Sequence, residues 1–291
     1  MERFLSVSII TLTKNRASLL RANLGSLVGQ VTKNDEIVIV DNASIDETQS
    51  VIVEYKRKLP ICYFYTNLQG YPKLYNFAFQ QSKKQIIVFF DDDCIADKHF
   101  LEQIRSSHAS SKNPHVVQGA TSSLPKNNLY AEIMSDHYQN WLKTNTTTNG
   151  SMRTFDNKNA SMPRTVFISS GGYSEDLVYG SEDIDLGIRM KNKGVQIIFD
   201  PTIIAYHHER SSFDSFIAQH LRIAKSEGVL DKHLSSKDKI RMIPIRKTAL
   251  NLVSAARREY YYLRYWRIKD LFLLPCVYIV LALVRVYGYL Y

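Results

Sequence analysis

Three consecutive aspartates form the most concentrated group of chemically active side chains in the sequence. Asp91, Asp92 and Asp93 directly follow the apolar run Gln85–Phe90 (QIIVFF). Adjacent carboxylates repel one another unless a cation or hydrogen-bond donors neutralise them. The alternate spacing of Asp91 and Asp93 suits two carboxylates that hold a hard divalent metal while the metal also binds phosphate oxygens. Spacing alone leaves a second interpretation open, in which one aspartate caps the next helix and the others are solvated.

The apolar run before these aspartates is the fourth segment with the composition of a buried β-strand. The earlier three are Val7–Leu12, Glu36–Val40 and Ile61–Tyr65. Segments in which apolar residues recur at helical spacing separate them, which predicts an α/β fold with a largely parallel sheet. Ligands of such sheets bind outside the carboxyl ends of the strands. Those ends carry Asp41, after the second strand, and the three aspartates, after the fourth.

Local patterns predict several further elements. Ser44–Glu47 matches a capping box, which predicts the start of a helix. Residues 122–160 are polar, and within them Thr144–Ser151 (TNTTTNGS) predicts a mobile loop. Glu182–Lys193 has helical periodicity, and from about Ser212 onward the sequence predicts helices alone.

Two common phosphate-binding loops are absent from the sequence. No GxGxxG follows the first strand and no GxxxxGK[ST] occurs, so a dinucleotide site and a P-loop NTPase site have no support. A nucleotide that binds at the carboxyl ends of the strands must therefore rely on a metal ion and on scattered polar groups.

Five segments carry motifs in a recognisable order. They are VSIITLTKNR near the start, Val40–Thr48 (VDNASIDET), Phe89–Cys94 (FFDDDC), Gly171–Met190 (GGYSEDLVYGSEDIDLGIRM) and Pro201–His208 (PTIIAYHH). Together they resemble the ordered motifs of family 2 glycosyltransferases with the GT-A fold, over roughly residues 5–210. The resemblance implies an α/β fold with a Rossmann-like mixed sheet in a catalytic domain over residues 1–210. Its nucleotide-sugar half is expected to reach about residue 95, followed by an acceptor half and by a helical extension over residues 211–291.

The resemblance implies a role for each residue at a motif position. Asp91 and Asp93 match the outer positions of the family's DxD motif, whose last aspartate binds Mg2+ or Mn2+ bridging the donor diphosphate. His207 matches a histidine that completes the metal shell in some members. Asp183 matches the usual base that deprotonates the acceptor hydroxyl, and Glu182 stands beside it.

Other motif positions are expected to bind the nucleotide sugar. Asp41 matches a carboxylate that contacts the nucleotide base, and it is compatible with uracil or thymine. The other expected contacts are Thr11, Thr13, Asn15, Arg16, Asn76, Asp91 and Asp92. Two positions depart from the family pattern, since Lys14 replaces a frequent tyrosine and Tyr75 replaces a common arginine.

The function that the resemblance implies is a metal-dependent, inverting glycosyl transfer from a nucleoside-diphosphate sugar, with UDP or dTDP sugars favoured. Displacement at the sugar C1 places negative charge on the leaving phosphates and requires removal of the acceptor proton. A metal site and a carboxylate base meet these two needs. Residues 122–160 are expected to contact the acceptor.

Other interpretations of the same residues stay open at this point. The helix dipole alone favours carboxylates at a helix start, which would explain Glu182, Asp183 and Asp185. His207 and His208 are also compatible with an exposed or hydrogen-bonded pair after a strand. For the whole chain, the alternatives are a sugar-nucleotide pyrophosphorylase and a non-catalytic, membrane-bound adaptor with a glycosyltransferase-like fold. The pyrophosphorylase would normally carry a glycine-rich loop after the first strand, and Thr11–Ser18 contains no glycine.

Most of the net positive charge lies in one C-terminal block. Lys239–Asp270 holds nine basic and two acidic residues, out of a net charge of +9 for the chain. Arginines alternate there with tyrosines and a tryptophan, and the uncharged run Leu271–Val284 follows. Fourteen uncharged residues are too short to span a bilayer, whereas the 21 residues 271–291, counted through Arg285, would span it with a charge near one end. We favour a monotopic anchor on an anionic membrane surface. The alternative is a helical pair that packs on the catalytic domain or in a homo-oligomer.

These features predict a location on the inner face of the membrane and a lipid-linked or surface-glycan acceptor. Three cysteines without a CxxC spacing favour a reducing, cytoplasmic compartment. The basic block is compatible in composition with nucleic acid, but no nucleic-acid-binding module accompanies it, so we expect no nucleic-acid partner.

Overall fold

The computed structural model describes residues 5–111, 113–124, 128–178, 180–233, 276–284 and 286–287. The strands are β1 (Val7–Thr13), β2 (Glu36–Asn42), β3 (Ile61–Thr66), β4 (Ile86–Phe90), β5 (Cys94–Ala96), β6 (His115–Leu124), β7 (Asn159–Pro163) and β8 (Gln196–His208). The helices are α1 (Ala17–Leu27), α2 (Thr48–Tyr55), α3 (Tyr71–Gln81), α4 (Phe100–Ala109), α5 (Leu129–Asn145), α6 (Arg164–Ser169), α7 (Glu182–Asn192) and α8 (Phe213–His233). Within the described ranges the strands form one sheet in the order β3-β2-β1-β4-β7-β6-β8-β5.

The first half of the sheet is parallel and buried. β1 pairs with β2 and β4, and β2 pairs with β3, all in parallel. Parallel strands lie between two layers of helices, which is why their sequences are continuous apolar runs. All five residues of β4 are buried, and Leu20, Leu24 and Leu27 of α1 belong to the same core as Ile9 and Ile37. The four strands predicted from apolar runs are therefore confirmed.

The second half of the sheet is mixed, with β6 parallel to β8. Four of the seven strand pairings in the described sheet are parallel, as expected. β7 is antiparallel to both β4 and β6, and β5 is antiparallel to β8. The sequence of β7 (NASMP) contains no apolar run, so no local signal predicts it. Partners on both edges hold this strand, and the Asn159 amide adds hydrogen bonds of 2.9 and 3.1 Å to the Ala120 and Ile203 carbonyls. The mixed sheet implied by the family resemblance is confirmed.

The predicted capping box before α2 is wrong. α2 begins at Thr48, and Glu47 precedes it without a side-chain cap. The Ser44 hydroxyl instead accepts a 2.8 Å hydrogen bond from the Asn15 backbone N–H. The Asp46 carboxylate accepts 3.0 and 3.1 Å bonds from the backbone N–H groups of Ala17 and Thr48. Ser44 and Asp46, which lie within the predicted capping box, thus connect the loop after β2 to the chain that follows β1.

The polar segment 122–160 is more ordered than its composition predicts. It holds the end of β6, all of α5 and the start of β7. The predicted mobile loop is a hydrogen-bonded turn, in which the Thr147 N–H donates to the Ser151 carbonyl at 2.7 Å. Composition misled the prediction because Leu129, Ile133 and Tyr138 of α5 are buried, and tertiary packing supplies the stability that the polar residues lack.

The described residues divide into two compact units. The first contains residues 5–124, 142–178 and 182–208, and it holds the sheet. The second contains the described residues within 125–141, 180–181 and 209–287. It has its own apolar cluster, which consists of Leu129, Ile133, Phe216, Val277, Tyr278 and Leu281. The predicted domain boundary near residue 210 stays a prediction, since residues 125–141 group with the C-terminal residues.

Part of the predicted C-terminal extension lies outside the described residues. This applies to the basic block Lys239–Asp270 and to the first residues of the apolar run after it. Residues 276–284 are helical. Among the described helices, none combines the length and the hydropathy that crossing a bilayer requires.

Candidate active site

Arg16 is the counter-ion of the aspartate cluster. Its Nη1 lies 2.7 Å from Asp92 Oδ1 and 2.9 Å from Asp93 Oδ2. Arg16 follows β1 and the aspartates follow β4, and because these strands are neighbours their carboxyl ends lie side by side. Burial opposes the charge on Arg16, but Asp92 and Asp93 outweigh this effect and raise the pKa of the guanidinium. A permanent positive charge therefore neutralises part of the cluster.

Asp91 receives a neutral donor instead of a cation. The Tyr75 hydroxyl donates to Asp91 Oδ1 at 3.0 Å. Burial, together with repulsion from Asp93, raises the pKa of Asp91 to about 7. The Tyr75 ring is buried and packs edge-on against Phe89, with 5.4 Å between the ring centroids. Where the family commonly has an arginine, this chain therefore supplies Asp91 with a neutral hydroxyl, and His207 acts on Asp91 electrostatically.

Asp93 and His207 bring together two atoms of the kind that divalent ions bind. His207 Nε2 lies 3.2 Å from Asp93 Oδ1, because the β5–β8 pairing places His207 opposite Cys94. A carboxylate oxygen and an imidazole nitrogen suit an ion such as Mn2+, which would take its other ligands from phosphate oxygens and water. In the part of the chain that the structure describes, no three His, Cys, Asp or Glu side chains are grouped to hold a metal by themselves. The residues therefore fit a metal that a bound phosphate ligand helps to coordinate.

Glu182 and Asp183 form a second acidic pair at the start of α7. Glu182 is 7% exposed, and its Oε1 accepts a 3.1 Å hydrogen bond from Asn157 Nδ2. Asp183 is partly exposed, and its Oδ1 accepts from the Ile184 backbone N–H at 2.8 Å. Burial, followed by repulsion from Glu182 and Asp156, raises the pKa of Asp183 well above its ordinary range. A carboxylate with raised proton affinity is suited to act as a general base.

The two acidic groups border the same region of the first unit. Besides burial, the carboxylate of Asp156 raises the pKa of both Asp91 and Asp183. Burial raises the pKa of Tyr173, and the charges of Asp183 and Asp91 add to that rise. The Tyr75 ring, whose hydroxyl donates to Asp91, lies with its centroid 5.4 Å from that of Tyr173. The Tyr173 hydroxyl donates to Asn157, and the Asn157 amide donates to Glu182. These contacts connect the two acidic groups, and a shared site for Asp183 and the aspartates after β4 stays a prediction.

Three residues predicted to contact the nucleotide sugar are engaged elsewhere. Thr11 is fully buried, and its hydroxyl donates to the carbonyl of the last β4 residue at 2.9 Å. The Asn15 Oδ1 accepts from the Ile45 backbone N–H at 2.8 Å. The Asn76 amide exchanges hydrogen bonds of 2.9 and 3.0 Å with the Tyr173 backbone. These side chains shape the loops around the site, and their contacts with a nucleotide sugar stay predictions.

Asp41 lies at the carboxyl end of β2, as the sequence predicts. The residue is 1% exposed, and its two oxygens accept from the Ser44 backbone N–H at 2.9 Å and from the Tyr63 hydroxyl at 2.7 Å. Thr13 of β1 is paired with Asp41 of the neighbouring strand β2, and the Thr13 hydroxyl faces Asp92. These bonds fix the carboxylate, and its contact with a nucleotide base stays a prediction.

Asn157, Asp156 and Tyr173 are site residues that sequence reasoning missed. Asn157 connects the Tyr173 hydroxyl to Glu182, and Asp156 acts electrostatically on both acidic groups. Asp156 and Asn157 occur in a polar stretch with no strand or helix signal. Tyr173 stands inside one of the family motifs, which is the one signal that pointed to it.

The raised pKa of Asp91 predicts a pH-dependent effect of Asp91→Asn on stability. Between the ordinary aspartate pKa and about 7, the folded protein keeps a proton that the unfolded chain releases, so the free energy of unfolding falls as pH rises. Asparagine at position 91 cannot bind or release this proton, so the variant does not show this fall in the free energy of unfolding. Relative to wild type, the variant should gain stability by up to about 1.4 kcal/mol per pH unit between about pH 5 and pH 7. Urea denaturation without metal measures the gain, with Asp176→Asn as an exposed control, and a gain independent of pH contradicts the prediction.

Comparison with known proteins identifies relatives for most of the first unit. Residues 8–171 match the family model described as Glycosyl transferase family 2. Validoxylamine A glucosyltransferase of Streptomyces hygroscopicus subsp. jinggangensis (strain 5008) is 26% identical over 219 residues, and the match covers 65% of this chain and 52% of that protein. The UDP-Glc:alpha-D-GlcNAc-diphosphoundecaprenol beta-1,3-glucosyltransferase WfaP of Escherichia coli is 30% identical over 138 residues, and the match covers 44% of this chain and 55% of WfaP. The chain thus spans about half the length of these two relatives.

The fold also resembles that of a solved glycosyltransferase structure. The mannosyltransferase PcManGT from Pyrobaculum calidifontis, in complex with GDP-Man and Mn2+, has a TM-score of 0.65 at 17% identity, covering 97% of this chain and 87% of that one. At this level of identity the likeness concerns the fold, and it confirms the predicted GT-A architecture. Because the family model matches more than half of the chain, the protein belongs to glycosyl transferase family 2.

Proposed function

We propose that this protein is an inverting glycosyltransferase that moves a sugar from a nucleoside-diphosphate donor to an acceptor alcohol. The observation that carries the proposal is the placement of two acidic groups around one region. The cluster after β4 suits a metal-bound diphosphate, and burial raises the pKa of Asp183, as suits a general base. Family membership supports the same reaction.

Asp183 is the proposed base. The acceptor oxygen forms a bond to the sugar C1 while its proton passes to an Asp183 carboxylate oxygen. The bond between C1 and the diphosphate oxygen breaks, and its electron pair leaves with the nucleoside diphosphate. Because the acceptor attacks from the face opposite the leaving group, the anomeric configuration inverts. Placing the base and the acceptor in one site also lowers the entropic cost of the step.

Asp93 and His207 would hold a Mn2+ or Mg2+ ion, with Asp91 beside them. When bound, the ion would neutralise charge on the departing diphosphate. We favour Mn2+, because an imidazole ligand suits a softer ion than Mg2+. Arg16 holds Asp92 and Asp93 in place and adds a positive charge that attracts the donor phosphates.

A UDP or dTDP sugar is the proposed donor. The fixed carboxylate of Asp41 could accept the N3–H of uracil or thymine, which is a hydrogen-bond donor that these bases share. The name of the relative WfaP specifies UDP-Glc and a lipid-diphosphate acceptor, which supports a UDP sugar and a lipid-linked or surface-glycan acceptor here. PcManGT supports the fold, and its GDP-Man does not bear on the base bound by this chain.

The C-terminal helix supplies a surface for the proposed membrane contact on the cytoplasmic face. One side of the helix packs Val277, Tyr278 and Leu281 into the core of the second unit. On the other side, Ile279 and Leu283 are 61% and 66% exposed. Apolar side chains four residues apart lie on one helix face, where they can insert into a bilayer. The nine basic residues of the preceding block would complement anionic lipid headgroups.

Two alternatives have weaker support. A sugar-nucleotide pyrophosphorylase would need a phosphate loop that the sequence lacks, and the matched family argues for glycosyl transfer instead. A non-catalytic adaptor would keep the fold without needing the raised proton affinity of Asp183. Substitution of that residue separates the adaptor from the enzyme.

Asp183→Asn should lower kcat by about 100-fold to 10,000-fold, because an amide cannot accept the acceptor proton. The Kd of the donor should change less than about threefold, since the amide keeps the shape of the carboxylate. Release of UDP from UDP-glucose measures kcat, and Asp176→Asn controls for loss of a carboxylate. A fully active Asp183→Asn protein would contradict the proposed base and favour the adaptor.

Removal of metal tests the role of Asp93 and His207. EDTA should abolish UDP release, and Mn2+ should restore it, because the leaving diphosphate needs charge neutralisation. His207→Ala should raise the Mn2+ concentration for half-maximal activity about 10-fold to 100-fold. Isothermal titration of Mn2+ into the UDP-bound protein gives the same affinity without turnover, with His99→Ala as the exposed control. Full activity in chelator refutes the metal role.

Introduction of negative charge on the exposed face of the C-terminal helix tests membrane binding. Ile279→Glu with Leu283→Glu should lower sedimentation with anionic phosphatidylglycerol vesicles at least 10-fold, since each side chain contributes about 1.5–3 kcal/mol of apolar burial. Val53→Glu, on α2 of the first unit, replaces an equally exposed apolar residue and should change nothing. Equal sedimentation of the double variant and the wild type argues against this surface.

A further inference from the structure

One buried residue contacts both carboxylates of the second acidic pair, one through its side-chain amide and the other through its backbone. Asn157 is 5% exposed and lies in the turn that precedes β7. Its Nδ2 donates to Glu182 Oε1 at 3.1 Å, and its Oδ1 accepts from the Tyr173 hydroxyl at 2.6 Å. Its backbone N–H bonds to the Asp183 carboxylate. A single residue therefore connects the base, its acidic neighbour and the buried aromatic ring beside them.

The side-chain amide contacts only one of the two carboxylates. The amide nitrogen can only donate, so its bond to Glu182 stabilises a negative charge there. The Tyr173 hydroxyl fixes the orientation of the amide by donating to its oxygen. Asp183 faces backbone N–H groups instead, and burial, followed by repulsion from Glu182, raises its pKa. Replacement of the Asn157 side chain therefore removes a donor from Glu182 and leaves the backbone donor of Asp183 in place.

We propose that Asn157 is a positioning residue for catalysis, which keeps Glu182 as a fixed negative group and orients Asp183 toward the acceptor hydroxyl. The inference rests on the proposed function and deepens it. Asn157 itself accepts no proton and touches no reacting atom. It acts through the two carboxylates, so that the proton of the acceptor passes to Asp183 and not to Glu182.

The groups that face Asp183 come from three segments. Glu182 and the Ile184 N–H belong to α7 itself. The turn before β7 contributes Asn157 and Asp156, and Asp156 pairs with Lys158 at 3.0 Å. The loop after α6 contributes the Tyr173 ring. In this set, the Asn157 amide is the neutral side chain that donates to a carboxylate, so its replacement changes the balance between the carboxylates directly.

Two substitutions of Asn157 test the proposal by the rate and pH profile of UDP release from UDP-glucose in Mn2+. Asn157→Ala should lower kcat about 10-fold to 100-fold and change the donor KM less than threefold. Asn157→Asp places a third negative charge beside Asp183. The pH below which kcat falls should then rise by about one unit, because like charges favour the protonated base. Asn149→Asp, at an exposed turn of the same unit, should leave both quantities unchanged.

Tyr173→Phe keeps the test decisive if an Asn157 variant fails to fold. It removes the hydroxyl that orients the amide and retains the ring, and it should lower kcat about threefold to 10-fold with little change in the melting temperature. The proposal is overturned if Tyr173→Phe is fully active, or if folded Asn157 variants keep the wild-type kcat. It is also overturned if kcat falls while the Asn157→Asp pH profile stays unshifted, since that result indicates a structural role. A fully active Asp183→Asn protein instead refutes the proposed function, so the two failures are distinguishable.

Discussion

The architecture of the site depends on neutralising three adjacent negative charges at the end of a buried strand. Arg16 offsets Asp92 and Asp93 from the end of the neighbouring strand, and His207 approaches Asp93 from β8. Each contact joins residues far apart in the chain, so the Arg16 ion pairs depend on β1 pairing with β4, and the His207 contact depends on β5 pairing with β8. Asp91 lies at the margin of this network, with a tyrosine hydroxyl as its donor. Burial and repulsion from Asp93 raise the pKa of this carboxylate to about 7, so an added positive charge beside it would stabilise its charged form.

The second acidic pair takes its described contacts from neutral donors. The Asn157 amide donates to Glu182, and backbone N–H groups face Asp183. Burial and the neighbouring charge of Glu182 raise the pKa of Asp183. Buried aromatic rings, Tyr75, Phe89 and Tyr173, lie between the two groups with centroids 5.4–5.5 Å apart. Such rings reduce access of water, which strengthens the electrostatic interactions on both sides.

The second unit combines an internal core with an exposed apolar face. Its C-terminal helix presents Ile279 and Leu283 away from Phe216 and its neighbours. A soluble helix normally exposes polar residues on that side. Together with the basic block in the sequence, this exposure is the physical basis for proposing that the protein binds a lipid surface close to its acceptor.

The sequence by itself determined the parallel half of the sheet, the acidic residues at its carboxyl edge and the family. Apolar runs such as that of β4 report burial locally, and motif spacing needs no knowledge of contacts. Only the tertiary structure decided the antiparallel strands β5 and β7, the order in residues 122–160 and the partners of the polar side chains. Asn157 meets Glu182 from 25 residues away, and Arg16 meets Asp92 from 76 residues away. A hydrogen-bond partner at such a separation depends on how the strands pair, and that pairing leaves no periodic signal in the chain around either residue.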